Sequence, residues 1–416
     1  MNRHDLPLSN IVVLDFSWVV AGPHATMMLS DLGATVIKVT SRRNIDVTRA
    51  SCLREGNEDF DEEGGWVYQD LNHGKLNISL DLKNPLGRSI MEELLQKSDM
   101  VVCNYGKGAF HKLGMTYEEL SKIKKDIIVI NASGLGDYGP YSDFVTYAPV
   151  LQAITGIASL VGYEGETRPL DEYAPIADYI GGMTIANYLL AALAWRQKTG
   201  EGQFIDMSQG ESTSVYLGPA LLDMQVNHNA GGIIGCRDWG HRAAPHNVYP
   251  CADGRWCVIE TTTEEEWKSL SQIVDPKSSW TTDKDFSTMA DRLKHLEDLD
   301  HHLAEWTSLH TADEIGDLLQ ANGVPAAPVQ TARDCYTRDR HLQERGFFRE
   351  IAFEPSDRWP ESLWVTGSIP RLADINYPTR VSPAVSTGHD TETVLQHFLG
   401  KSQEWIADAR KEGAFG

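Results

Sequence analysis

Over the first hundred and thirty residues, short apolar runs of strand character alternate with segments of helical character. This alternation constrains the fold more than any other feature, because parallel strands need a crossover between them and the usual crossover is a helix. Ile11–Phe16 reads as the opening strand. A helix follows Gly22-Pro23, where Pro23 lies early enough that its missing N–H removes no intrahelical bond, and it stops at Gly33, which tolerates the left-handed backbone of a C-cap. Thr35–Val39 is the next strand. Asn84-Pro85 joins a capping side chain to a helix-starting proline, Arg88–Lys97 carries apolar residues at helical spacing, and Met100–Cys103 is again a strand. Thr116-Tyr117-Glu118-Glu119 forms a capping box that opens a short helix to Lys125, and Asp126–Ser133 follows as a buried strand. The pattern predicts a parallel α/β sheet.

Beyond a Gly-rich turn the sequence predicts an apolar helix over about Gly182–Arg196, then Thr199-Gly200-Glu201-Gly202 leading into a strand at Gln203–Met207, then a helix near Glu211–Gln225. A chain of 416 residues exceeds one ordinary compact core. We therefore expect a large α/β domain over residues 1–225, a smaller α+β domain over 226–330, and a segment 331–416 that returns to the first. The smaller domain carries a hairpin signal, Ala252-Asp253-Gly254, between Asn247–Cys251 and Arg255–Glu260. Gly323–Pro328, with Pro325 and Pro328, reads as a linker.

The net charge of −22 argues against nucleic acid or an anionic membrane as partner. Residues 1–125 hold 15 Lys and Arg against 17 Asp and Glu, a balance of −2, and the other 291 residues carry −20. A polyanionic ligand is thus expected on the first third. An acidic, solubilising surface explains the total charge but not this asymmetry. The apolar stretch Thr184–Trp195 is shorter than the roughly 18 residues of a membrane span, and Met1–Asn10 lacks the apolar core of a signal peptide, so the expectation is a cytoplasmic protein.

Several chemistries find no support. Six cysteines stand apart with no C-x-x-C pair, and neither His241-x-x-x-x-His246 nor His301-His302 has metal-ligand spacing with a supporting carboxylate pattern. No G-x-S-x-G is present. Gly134-x-Gly136-x-x-Gly139 follows a strand as a dinucleotide fingerprint does, but Pro140 comes next and no continuous helix follows to face a pyrophosphate, so it reads as a strand-ending turn. Asp178 is an acidic residue in the uncharged stretch Ala174–Gly182 just before the apolar helix. On sequence physics alone it reads first as a helix cap, a role compatible with a carboxylate kept ionised by the helix dipole and open to a substrate.

Val13–Pro23 (VLDFSWVVAGP), running on to Asp31–Val39 (DLGATVIKV), resembles the opening of the class III coenzyme A transferases. Asn77–Pro85 (NISLDLKNP), Asn104–Gly108, Thr199–Gln203 and Gly323–Val329 are similar to that family in the same order, so the resemblance spans essentially the whole chain. It implies a doubly wound, Rossmann-like large domain with a smaller α+β domain, in an interlocked dimer of identical or homologous chains. It implies an enzyme that moves CoA between an acyl-CoA thioester and a free carboxylic acid, with no permanently bound cofactor. The family's catalytic aspartate falls on Asp178, whose carboxylate would form an aspartyl acyl anhydride. Oxyanion donors are expected near Gly231, Gly232 and Gly235, where the family's glycine run is incomplete here.

The CoA contacts that the resemblance implies are Val20 and Ala21 through their backbone, with Arg42, Leu80, Lys83, Asn104, Tyr105, Ala109 and Lys112. Cations suit phosphates, and apolar residues suit the adenine or the pantetheine arm. Val20 stands where formyl-transferring members have glutamine, and Ala148 where they have an acidic residue. With Trp18, Tyr147 and Tyr179 this points to a dicarboxylic or aryl-substituted acid, as in the benzylsuccinate branch. Two other readings stay open: an α-methylacyl-CoA racemase, although Thr146-Tyr147-Ala148 lacks that group's histidine, and a non-catalytic subunit of a heteromeric transferase.

Overall fold

In a computed structural model of the protein, the described residues are 6–50, 65–169, 175–228, 232–237, 240–277, 279–280, 283–353, 362–367, 372 and 380–416. The chain divides into two compact units, one of Met1–Ala158, Asp171–Asn227 and Arg340–Gly416, the other of Ser159–Leu170 and His228–Asp339.

The larger unit is built on a sheet of six strands, β1 (Val12–Asp15), β2 (Thr35–Thr40), β3 (Leu76–Ser79), β4 (Met100–Cys103), β5 (Ile128–Asn131) and β6 (Gln203–Asp206), in the order β3-β2-β1-β4-β5-β6. Every neighbouring pair is parallel, with Val13 opposite both Val36 and Met100. Successive residues of one strand face opposite layers, so Val13 and Leu14 belong to different cores. Leu14, Ile37, Ile78 and Val101 pack with Ile90 and Leu94 of the helix Pro85–Gln96. Val13, Val36, Val102 and Ile130 pack with Ala25 and Leu29 of the first helix, Ala21–Asp31, and with Ile185 and Leu189. Each fully buried aliphatic side chain contributes roughly 1.5–3 kcal/mol.

Ile185 and Leu189 belong to a helix of 24 residues, Ile176–Thr199, which begins six residues before the sequence pattern predicts. The Gly181-Gly182 pair that looks like a break lies inside it, each glycine in a close approach: a Cβ on Gly182 would stand 2.6 Å from His24 Nδ1 and 2.8 Å from the Ala21 carbonyl. The longer helix also changes the reading of its apolar stretch, since by length and composition it could cross a membrane. Ile185, Ala186, Leu189, Ala192 and Leu193 bury its inner side against the sheet as a core helix does.

Residues 412–415 close the unit near the end of β3. The Ser79 hydroxyl donates to the Phe415 carbonyl at 2.5 Å, the Asp81 N–H to the Ala414 carbonyl at 2.8 Å, and the Asn84 side-chain amide to the Glu412 carbonyl at 2.7 Å. Also in this unit, β10 (Phe348–Ala352) pairs antiparallel with β11 (Ser362–Thr366) and parallel with β12 (Arg380–Val381).

The smaller unit has an antiparallel sheet, β7 (His246–Pro250), β8 (Trp256–Glu260) and β9 (Ala326–Pro328), with the predicted hairpin turning at Gly254. Its core joins Tyr249, Cys257 and Ile259 to Trp267, Leu303 and Leu319 from the covering helices. The segment read as a linker is therefore a strand. It lies at the sheet edge, where prolines that cannot donate are tolerated.

Candidate functional site

In an open parallel sheet, ligands bind beyond the carboxyl ends of the strands where the strand order reverses. Here the order reverses between β1 and β4. A cavity of about 640 Å³ opens there, lined by Phe16, Ser17 and Trp18 after β1 and by Tyr105 and Gly106 after β4. Leu80, Lys83, Tyr105, Ala109 and Lys112 of the expected ligand set all line it. Lys83 and Lys112 are exposed and have no ion-pair partner among the described residues, so both are available to an anion. Arg43 at the cavity's edge pairs with Asp81 at 3.1 Å. The Trp18 and Tyr105 rings meet edge to face at 5.9 Å and give the cavity an aromatic wall.

Other expected contacts take supporting places. Asn104 does not line the cavity but clamps Trp18, accepting its N–H at 3.0 Å and donating to its carbonyl at 2.8 Å. Arg42 donates to the carbonyl of Thr387, a lining residue, at 2.9 Å. Val20 and Ala21 are buried where the first helix begins, and neither lines the cavity. Lining residues that the sequence reading missed include Lys38, Asp46 and Arg49. Lys38 carried a signal, as the only charge in the apolar strand Thr35–Thr40.

Asp178 lies outside this lining. It is not the helix cap: Pro175 takes that position, and Asp178 is the third residue of the first turn, its N–H donating to the Pro175 carbonyl at 3.0 Å. Among the described residues its carboxylate has no hydrogen-bond or ion-pair partner. Burial pushes its pKa up to about 6 and outweighs the expected help from the helix dipole, yet the group stays mostly ionised at neutral pH.

The surroundings of Asp178 are compact. Ala177 is fully buried against Ala148 and Leu151, while Tyr147 is exposed. The Tyr179 ring meets the His24 ring edge to face at 4.9 Å, and burial brings His24 down to about 4, so its imidazole is neutral. Residues four apart share a helix face, so Gly182 continues the face of Asp178 toward Ala21 and His24. The first turn of the long helix thus meets the start of the first helix, which follows directly on the cavity residues Ser17 and Trp18.

Gly232 and Gly235 belong to the smaller unit, and Gly231 lies outside the described residues. No group of three His, Cys, Asp or Glu residues is placed to hold a metal among the described residues. Cys103 is free and buried, its thiol pushed up to about 12, which leaves no thiolate for nucleophilic attack.

The model of CoA-transferase family III matches residues 8–390. The chain is 29% identical over 411 residues to the succinyl-CoA–L-malate CoA-transferase beta subunit of Chloroflexus aurantiacus, covering 98% of each chain. It is 28% identical to a formyl-CoA:oxalate CoA-transferase of Rhodopseudomonas palustris, over 98% of this chain and 97% of that one. The crystal structure of a CAIB/BAIF family protein from Brucella suis superposes with a TM-score of 0.83 at 25% identity, covering 94% of this chain and 99% of that one.

Proposed function

The chain belongs to CoA-transferase family III, and on that premise we propose that it transfers CoA from an acyl-CoA thioester to a free carboxylic acid through Asp178. The observation that carries this reading is the state of Asp178: half-buried, unpartnered among the described residues and still ionised at pH 7. A carboxylate is itself an acyl acceptor and needs no base to activate it.

In this mechanism an Asp178 oxygen attacks the thioester carbonyl, and the tetrahedral oxyanion collapses by expelling CoA thiolate, which leaves an aspartyl acyl anhydride. The thiolate then attacks the aspartyl carbonyl of the anhydride, releasing the donor acid and forming an aspartyl-CoA thioester. The acceptor carboxylate repeats the sequence in reverse: it forms a second anhydride, and the thiolate takes the acceptor acyl group and frees Asp178. Lys83 and Lys112 hold CoA phosphates and the Trp18–Tyr105 wall takes the adenine or the pantetheine arm, a role supported by their place around the cavity. Val20, the N-cap, and Ala21, the first helical residue, have amide N–H groups without an intrahelical acceptor, but both residues are buried outside the cavity lining.

The acid is dicarboxylic or aryl-substituted. Trp18 in the cavity wall, the small Ala148 packed with Ala177 next to Asp178 in the chain, and the neighbouring Tyr179 favour a larger, partly apolar acyl group. The malate in the name of the Chloroflexus relative is a dicarboxylate. Comparable turnover with formate, or with oxalate, the smallest dicarboxylate, would count against the larger, partly apolar acyl group. The enzyme pairs with a second chain, its own copy or a homologous one, in an interlocked dimer; large apolar side chains such as Tyr188, Trp195 and Leu222 are exposed in the single chain.

The test is to incubate the enzyme with a panel of acyl-CoAs, trap with hydroxylamine, and locate the modification by mass spectrometry beside Asp178→Ala. Aspartyl hydroxamate at residue 178 with some thioesters, absent from the variant, supports the reading. No adduct with any thioester overturns it.

A further inference from the structure

Around the end of β1, at the cavity, lie three buried ionisable groups that none of the chemistry above uses. Asp15, at the end of β1, is fully buried, and the side chains of Lys38 and Lys75 beside it are 2% and 1% exposed. Asp15 Oδ2 stands 3.2 Å from Lys75 Nζ and 3.7 Å from Lys38 Nζ. Burial alone would push this carboxyl up, but Lys38 and Lys75, helped by hydroxyls of Ser17 and Thr26, hold it below the usual carboxylate range. Such a cluster is a poor way to stabilise a fold, because desolvating each ion costs several kcal/mol and apolar replacements are often neutral or better. Its position calls for another reason.

The hydrogen bonds supply one. Asp15 Oδ1 accepts the Ser17 N–H at 2.9 Å and the Ser17 hydroxyl at 2.5 Å, and Lys38 Nζ donates to the Ser17 carbonyl at 2.6 Å. Ser17 is thus held at all three of its polar atoms. Behind it stands Gly22, where a Cβ would come within 2.2 Å of the Ser17 Cβ. Trp18 is clamped by Asn104, and the Val19 N–H donates to Asp46 at 3.1 Å. Val19 has φ +63°, a left-handed backbone that a β-branched residue adopts only under strain. A turn so strained relaxes unless neighbouring groups pin it. The residues pinned, Ser17 and Trp18, line the cavity.

We propose that Asp15 is a positioning residue for the CoA cavity: by holding Ser17 it fixes the Ser17–Val20 turn and sets the Trp18 ring against the bound thioester. It touches no substrate. The proposal rests on the cavity being the CoA site, and the experiment separates the two claims.

Binding of CoA is measured by calorimetry, and KM and kcat are measured in parallel, on the full chain. Ala109→Trp fills the cavity and should abolish CoA binding. Ser17→Ala and Asp15→Asn should each weaken CoA binding and raise KM at least fivefold while kcat at saturation stays within threefold. Because the two act through one bond network, the double variant should bind no more weakly than Asp15→Asn alone. Thr26→Val removes a 2.6 Å contact to Asp15 Oδ2 from the helix side; it should lower the melting temperature and leave CoA binding within twofold. If Asp15→Asn fails to fold, Lys75→Met takes its place in the cycle. Normal CoA binding by Ala109→Trp overturns the cavity assignment and the proposal with it. Lost binding in Ala109→Trp with wild-type affinity in the Ser17 and Asp15 variants, or with additive effects, or with equal weakening by Thr26→Val, overturns the positioning role and leaves the cavity assignment standing.

Discussion

A nucleophilic carboxylate that ionises near pH 6 leaves a mark on the rate. In the proposed mechanism Asp178 must be charged to attack, so kcat/KM should rise with pH through about 6 and level off above pH 7, with a pH-rate profile as the check. The same shift works against stability. Folding raises this pKa from 3.8 to about 6, so the folded chain favours the protonated acid; the penalty is absent below 3.8, grows between the two values and is complete above about 6. Asp178→Asn should therefore abolish transfer, by roughly 10³-fold or more. It should also raise stability at pH 7 by roughly 2 kcal/mol, seen as a melting temperature higher by roughly 2–4 °C. The sequence pointed to Asp178 and to several cavity residues because family motifs carry them by position. It could not separate Tyr105, which faces the cavity, from Asn104 beside it, which turns to clamp Trp18: that choice is made by tertiary hydrogen bonds. Arg49 was equally hidden, because only the fold brings it over the Tyr68 ring at 3.8 Å and to the cavity.

Helices and strands with local signals were legible element by element. The capping box at Thr116 and the Asn84 cap both form as the side-chain chemistry requires. The start of the long helix was not legible, since Gly181-Gly182 resembles a break and the reason for these glycines lies on another helix. Gly182→Ala should thus be poorly tolerated although alanine is the better helix former: it forces His24 or Ala21 aside, costs roughly 1–3 kcal/mol, and lowers kcat tenfold or more. Thermal melting and steady-state kinetics check it. The strand β9 was misread for a related reason, because its pairing partner β8 lies more than sixty residues earlier in the chain.

Across the whole molecule, the charge balance of residues 1–125, −2 of a total of −22, coincides in sequence with the cavity. Strands β1–β4 and the Lys83 and Lys112 side chains at the cavity all fall within this nearly neutral third of an acidic protein. The proposed binding of CoA there relies on local cations against a repulsive background, so raising salt from 50 to 500 mM should increase KM for the acyl-CoA several-fold while kcat changes less. The parallel sheet was predictable from alternation alone. The order in which its strands lie side by side was not, since that depends on where each crossover helix finds an apolar face.

The hydrogen bonds from Ser79, Asp81 and Asn84 to residues 412–415 also have a bearing on time. A ribosome delivers β1 to β4 early, yet the partners of those three residues are made some three hundred residues later, at a few to about twenty residues per second. For tens of seconds the nascent sheet stands with that side unsealed and its apolar core beneath Leu80 and Ile90 incompletely covered. This chain's connectivity thus sets a delay, during synthesis, between the making of the sheet and the sealing of its core.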